Sequence, residues 1–185
     1  SAASDVYKRQ GFTHWAKLNN LKQAAKTMNF LTEHGISSYG ELESKLTAIS
    51  ARRDTAHAEI KRIESRSAEL TLVMKHAGTY RQLKPLYDRY RKSNDKEKFL
   101  RGHESEIILF EAAARELKRL GAVPLPTTES MKTELANLNA EKERLLAEYK
   151  AARTEAQEYD TVKQNVDALL AVPKEQEQQR RHELE

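Results

Sequence analysis

The chain has 185 residues, of which 38% are hydrophobic, 32% charged and 6% aromatic, and its formal net charge is +4. Ala, Glu, Lys, Leu and Arg dominate, the composition of long helices and coiled coils, and no apolar run reaches the length of a membrane span. The absence of Cys excludes disulfides and thiolate metal sites and fits a reducing compartment, so a cytoplasmic, membrane-free location is expected.

The first ten residues, SAASDVYKRQ, have neither the basic start, the apolar run nor the small-residue cleavage site of a secretory signal. Ser1 to Gln10 read codon by codon as TCG GCA GCG TCA GAT GTG TAT AAG AGA CAG. That DNA looks like the adapter and transposon end ligated to fragments in sequencing libraries. Residues 1–10 are therefore expected to be an adapter artefact, and the chain from Gly11 a C-terminal fragment of a longer protein. Without Asp5, Lys8 and Arg9 the net charge of +4 becomes +3, too mild to argue for any partner.

Residues 11–36 read as an N-terminal helix, with Trp15, Leu18, Leu21, Ala25 and Met28 at helical spacing and Gly35 placed for a left-handed stop. The stretch LKQAAKTMNFLTEHGISSYGEL is faintly like a helix-turn-helix, but two helices joined at a Gly are read first as packing. Residues 38–78 form a first arm, opened by the capping-box spacing of Ser38 and Glu41. Leu42, Leu46, Ile49, Ala56, Ile60, Ile63, Leu70, Met74 and Ala77 follow in steps of four and three, with Arg53 and Ser67 interrupting the seam.

A second arm, residues 127–172, is capped by Thr127 or Thr128. It repeats the rhythm in Met131, Leu135, Leu138, Leu145, Tyr149, Ala152, Ala156, Tyr159, Val166 and Leu170, interrupted by Lys142 and Lys163, and Pro173 is expected to end it before a polar tail, 173–185. Heptads sustained over this length predict paired, supercoiled helices, and arms of about 40 residues would each run about 60 Å. The fold class expected is all-α: a long antiparallel coiled-coil hairpin with a small helical head and an N-terminal helix. Residues 128–171 carry nine acidic and six basic side chains against six and seven in residues 39–77, which is compatible with pairing. Heptads do not set oligomeric state, so pairing of arms between two chains in a dimer stays open.

The head, residues 79–125, is the most basic region. From Lys75 to Arg101 nine Lys or Arg face only Asp88, Asp95 and Glu97. Arg81, Lys84, Arg89, Arg91, Lys92, Lys96, Lys98 and Arg101 are the candidate nucleic-acid or partner-binding residues, through phosphate or other anionic contacts; a solvated charged face is the competing reading. Tyr80, Leu83, Tyr87 and Tyr90, spaced three, four and three, are assigned to packing rather than to base stacking. Pro85 is placed either at a kink or near a first turn. In ESEIILFEAAARELKRLG, Ile107, Phe110, Ala114 and Leu117 line one side, Ile108 and Leu109 widen the apolar face, and Gly121 ends the helix.

No catalytic constellation follows. His14, His34, His57, His76, His103 and His182 share no metal-ligand spacing, and His103 in GHESE reads as an ordinary surface residue. The isolated glycines open no phosphate loop, and no strand-turn-helix context surrounds a nucleophile.

The blocks GFTHWAKLNNLKQAAKTMNFLTEHG, YRKSNDKEKFLRGHESEIILFEAAARELKRLG, LPTTESMKTELANLNAEKERLLAEYKAAR and NVDALL, in this order from Gly11 to about Leu170, resemble the C-terminal part of bacterial relaxase/mobilization proteins of plasmids and integrative conjugative elements. The resemblance implies an upstream domain that nicks transfer-origin DNA with a catalytic tyrosine and a histidine-held divalent metal. None of those functional residues carries over to a position here, and Tyr7 lies in the adapter-like segment. The expected role is thus a non-catalytic accessory region without a cofactor. Its expected partners are transfer-origin DNA or relaxosome proteins. The alternative is a structural spacer or dimerisation module without nucleic-acid binding.

Overall fold

The computed structural model describes residues 19–184, the side chains of residues 172–177 excepted, and every regular element among them is an α-helix. The adapter-like residues 1–10, Trp15 and Leu18 lie outside the described residues. Helix α1 covers residues 19–33, α2 Tyr39–Lys92, α3 Lys96–Arg119 and α4 Thr128–Glu183. The long helices α2 and α4 pack against each other in opposite directions, forming an all-α helical hairpin. The chain divides into two compact units, one made of the residues up to Thr55 with those from Glu148 on, the other of Ala56–Ala147.

Local chemistry fixes where the helices stop and start. Gly35 and Gly121 adopt φ of 64° and 69°, the left-handed region that costs glycine nothing. At each of them two bonds close the helix end. Gly35 N–H donates to Thr32 O and Ile36 N–H to Leu31 O; Gly121 N–H donates to Lys118 O and Ala122 N–H to Leu117 O. The residue after each glycine, Ile36 or Ala122, is buried, completing the apolar contact of this termination motif. Ser38 Oγ accepts from Glu41 N–H at 3.1 Å, as its spacing predicts, but the Glu41 carboxylate reaches one residue further back, to the Ser37 amide at 2.8 Å. That amide bond, with the Ser37 hydroxyl, holds Glu41 below the usual carboxylate range. Thr127, not Thr128, caps α4, its Oγ1 accepting from Ser130 N–H.

In the first unit Ile36, Leu42, Ile49, Ala156, Tyr159 and Val162 form a buried cluster, with Phe30, Leu31, Leu46 and Val166 packed against it. Three helices contribute, so α1 is a third partner of the α2–α4 pair there. The Tyr159 ring meets Phe30 edge-on at 5.1 Å, and burial pushes its hydroxyl pKa up. Tyr39 donates to Asp167 at 2.7 Å and Arg52 to Glu155 at 2.7 Å. Partner numbers thus fall on α4 as they rise on α2, which fixes the antiparallel register.

In the second unit Ala56, Ile60, Ile63, Leu70, Val73 and Ala77 of α2 are buried, as are Met131, Leu138 and Leu145 of α4 and Ile107, Phe110, Ala113 and Leu117 of α3. Arg66 grips Glu134 through two nitrogens at 2.7 and 3.1 Å. This holds the Glu134 carboxyl below its ordinary range and pushes Arg66 up. The seam interruptions exit sideways to neighbouring charge. Lys142 reaches Glu64 at 3.5 Å, and in the first unit Arg53 pairs with Asp54 at 3.1 Å. In the first unit, Lys163 sits 3.6 Å from Asp167 and 5.8 Å over the Tyr39 ring.

The helices depart from the sequence expectations in four places. Helix α4 runs through Pro173 to Glu183 rather than stopping at the proline; Pro173 removes one backbone donor, and the residues just before it, Leu169 and Leu170, are exposed enough for a freed carbonyl to meet water. Leu170 itself is 57% exposed and leaves the seam. Helix α2 is continuous through Gly78 and Pro85 to Lys92, with no break separating arm from head. On α3 the outward face carries Ile108 and Leu109, 54% and 56% exposed, and Ala113 is buried where Ala114 was expected. On α1, where the spacing set no inward face, Leu21, Ala25 and Met28 face outward and Thr27 is buried, its hydroxyl donating to Gln23 O.

Phe110→Ala should cost about 3–5 kcal/mol in urea unfolding, whereas Leu109→Ala should stay within about 0.5 kcal/mol. Glu134 ionises more easily folded than unfolded, so its contribution is present above the unfolded carboxylate value and fades as pH falls through the lower folded one. Wild type should therefore exceed Glu134→Gln in thermal stability above about pH 5, by up to about 1 kcal/mol for so exposed a pair, and the gap should close below about pH 4.

Candidate nucleic-acid interface

The eight cations singled out in the sequence flank one connection, residues 93–95, between α2 and α3. Ser93 Oγ donates to Asp95 O, and Asp95 caps α3, its carboxylate accepting from Lys98 N–H at 3.1 Å. This turn places Arg81, Lys84, Arg89, Arg91 and Lys92 on the last three turns of α2 and Lys96, Lys98 and Arg101 on the first two of α3, all of them exposed.

They fall into two groups. Arg81 is structural: its guanidinium donates to Thr128 Oγ1 and Pro126 O, tying α2 to the start of α4. Lys84 pairs with Asp88 at 3.2 Å, one turn along the same helix. The other six, Arg89, Arg91, Lys92, Lys96, Lys98 and Arg101, make no side-chain hydrogen bond or ion pair with another described residue.

Helix electrostatics separate five of the six further. Arg89, Arg91 and Lys92 sit in the last turn of α2, where the helix dipole favours positive charge. Lys96 and Lys98 sit in the first turn of α3, where it disfavours them, and Glu97 is the one acid of that turn. Helix stability accounts for the first trio and not for the second pair.

The aromatic residues between the cations are committed to packing. Phe110 stacks on Tyr80 at 4.8 Å and on Tyr87 at 4.2 Å. Tyr87 lies 5.8 Å from Tyr90, Tyr90 lies 6.0 Å from Phe99, and Phe99 lies 4.7 Å from the His103 ring. This ladder holds α3 against α2.

His103, an ordinary surface residue by its sequence surroundings, has φ of −138° and ψ of 26°, which break the regularity of α3. Its Nδ1 lies 2.8 Å from the Glu106 carboxylate. The cations Lys96, Lys98 and Arg101 thus lie on a short segment set off from the rest of α3. The available signal was Gly102 just before it, a poor residue for a helix interior.

Elsewhere, a groove of about 340 Å³ lined by Lys45, Ala48, Ile49, Arg52, Glu155 and Tyr159 has its cations already engaged, Lys45 on His34 O and Arg52 on Glu155. Among the described residues no group of three or more His, Cys, Asp or Glu is placed to hold a metal, and no helix is long and apolar enough to cross a membrane. No family model, curated protein or solved structure matches the chain.

Arg81→Ala should lower stability in thermal or urea unfolding by about 1 kcal/mol through the loss of its two bonds to the start of α4, whereas Arg91→Ala should leave it within about 0.5 kcal/mol.

Proposed function

We propose that this chain is the non-catalytic C-terminal accessory region of a relaxase/mobilization protein in conjugative DNA transfer, contributing contacts to DNA or to relaxosome proteins through the tip between α2 and α3. The sequence blocks quoted above support the family reading. The single observation that supports the binding role is the group of six exposed cations around residues 93–95 with no partner among the described residues. Unpaired charge of one sign on a packed support attracts an anionic surface at no cost in broken ion pairs. In this reading the nicking chemistry belongs to an upstream domain.

The outward stripe of α1 favours a second reading. Leu21 and Met28, 67% and 58% exposed, stand on one helical face with Ala25, as a dimerisation or spacer module would present them.

Purified protein should bind transfer-origin DNA at low salt, and the triple change Arg89→Glu, Arg91→Glu, Lys92→Glu should abolish binding while the protein stays folded by circular dichroism, its melting temperature lowered by the reversed charges at the end of α2. DNA affinity undetectable at about 50 mM salt would remove the DNA version and leave protein contacts. A stable dimer by light scattering, dissociated by Met28→Glu, together with full function of the charge-reversed triple variant, would favour the second reading.

A further inference from the structure

We infer that the tip between α2 and α3 takes duplex nucleic acid through its two phosphate backbones, and does not hold single strands by their bases. This rests on the nucleic-acid version of the function proposed above and narrows its ligand. Two observations carry it. First, six unpaired cations are spread over both helices that flank residues 93–95, a surface that matches a dense line of phosphates. A duplex presents about one negative charge per 1.7 Å of its axis, about twice the linear density of one of its strands.

Second, the rings that would serve as a stacking platform are used up. Each ring from Tyr80 to Phe110 lies against another, and Phe110 has Tyr80 and Tyr87 stacked on it at 4.8 and 4.2 Å with planes within 26°. Tyr87 and Tyr90 are half-buried, and they would have to leave α3 to receive a base. Proteins that grip single strands tightly add base stacking to backbone charge, and only the charge is on offer here. Lys96 and Lys98 fit the same reading. They crowd positive charge at the helix end where it is least favourable, and bound phosphate would relieve that.

Fluorescence anisotropy of the full chain tests this, with a labelled random-sequence duplex of about 20 bp and a labelled oligothymidine of about 20 nucleotides over a series of salt concentrations. The duplex should bind about tenfold more tightly than the oligothymidine, with an affinity that falls about as the fifth power of salt for six cations engaged. Lys96→Glu with Lys98→Glu should flatten that dependence, and Tyr90→Leu should leave both affinities within about twofold while the protein stays folded by circular dichroism. Equal or tighter binding of the single strand, or its selective loss in Tyr90→Leu, would overturn the inference while leaving the nucleic-acid reading in place. Displacement of the duplex by polyglutamate at equal charge concentration would assign the tip to an acidic protein and overturn it as well. Failure of both probes to bind at low salt would remove the parent reading and this inference together.

Discussion

An apolar stripe repeating every three or four residues along a helix of more than fifty residues cannot face water, and everything else in this molecule follows from how α2 and α4 cover each other's stripes. The partners belong to one chain and run in opposite directions, so the seam needs only the chain between the two helices to close. Charge follows the same logic: three arginines of α2, at positions 52, 62 and 66, reach glutamates of the more acidic α4. Each such pair is worth little by itself at the surface. They do not set register either, because a slip of one heptad would still bring a glutamate opposite two of the three arginines; the apolar seam does that.

Within the second unit, the length of α2 decides where the charged tip lies. Helix α4 begins at Thr128, and Met131 lines one pocket with Leu70 and Val73 of α2. The rest of α2, on to Lys92, needs another partner, and α3 supplies it by folding back through the short connection at residues 93–95. The aromatic ladder is the seam of this second pairing. Tyrosines that look like a nucleic-acid platform in the sequence are therefore structural, and by fixing α3 against α2 they hold six cations around one turn. Packing and charge are thus divided between residue types on the same two helices.

The parts of this arrangement set by local periodicity were legible in the sequence. The heptad positions, the glycine stops and the Ser38 and Thr127 caps depend on spacing and on one or two side chains. What periodicity does not reveal is how many partners a stripe has. Val73 and Val162 are buried beside the expected seam positions, because a third helix, α3 in one unit and α1 in the other, widens the covered face. Ile108 and Leu109 stay exposed for the converse reason: α3 covers only its Phe110 side. The continuation of α2 past Pro85 and of α4 past Pro173 was equally hidden, since a long helix outweighs one missing donor. The eight cations were visible as a cluster. The pairing of Lys84 with Asp88, four residues on, was readable too; that of Arg81 was not, because Pro126 and Thr128 lie more than forty residues from it.

The intrachain antiparallel pairing of α2 with α4 is tested most directly by pulsed electron spin resonance on a variant carrying spin labels at the exposed positions Thr47 and Asp160. Helices packed about 8–10 Å apart should give a single narrow distance distribution centred at about 15–25 Å once label length is added, unchanged when the labelled chain is diluted with excess unlabelled protein. A distribution beyond about 40 Å, or a short distance that disappears on dilution, would show that the arms pair otherwise or between chains, and would contradict it.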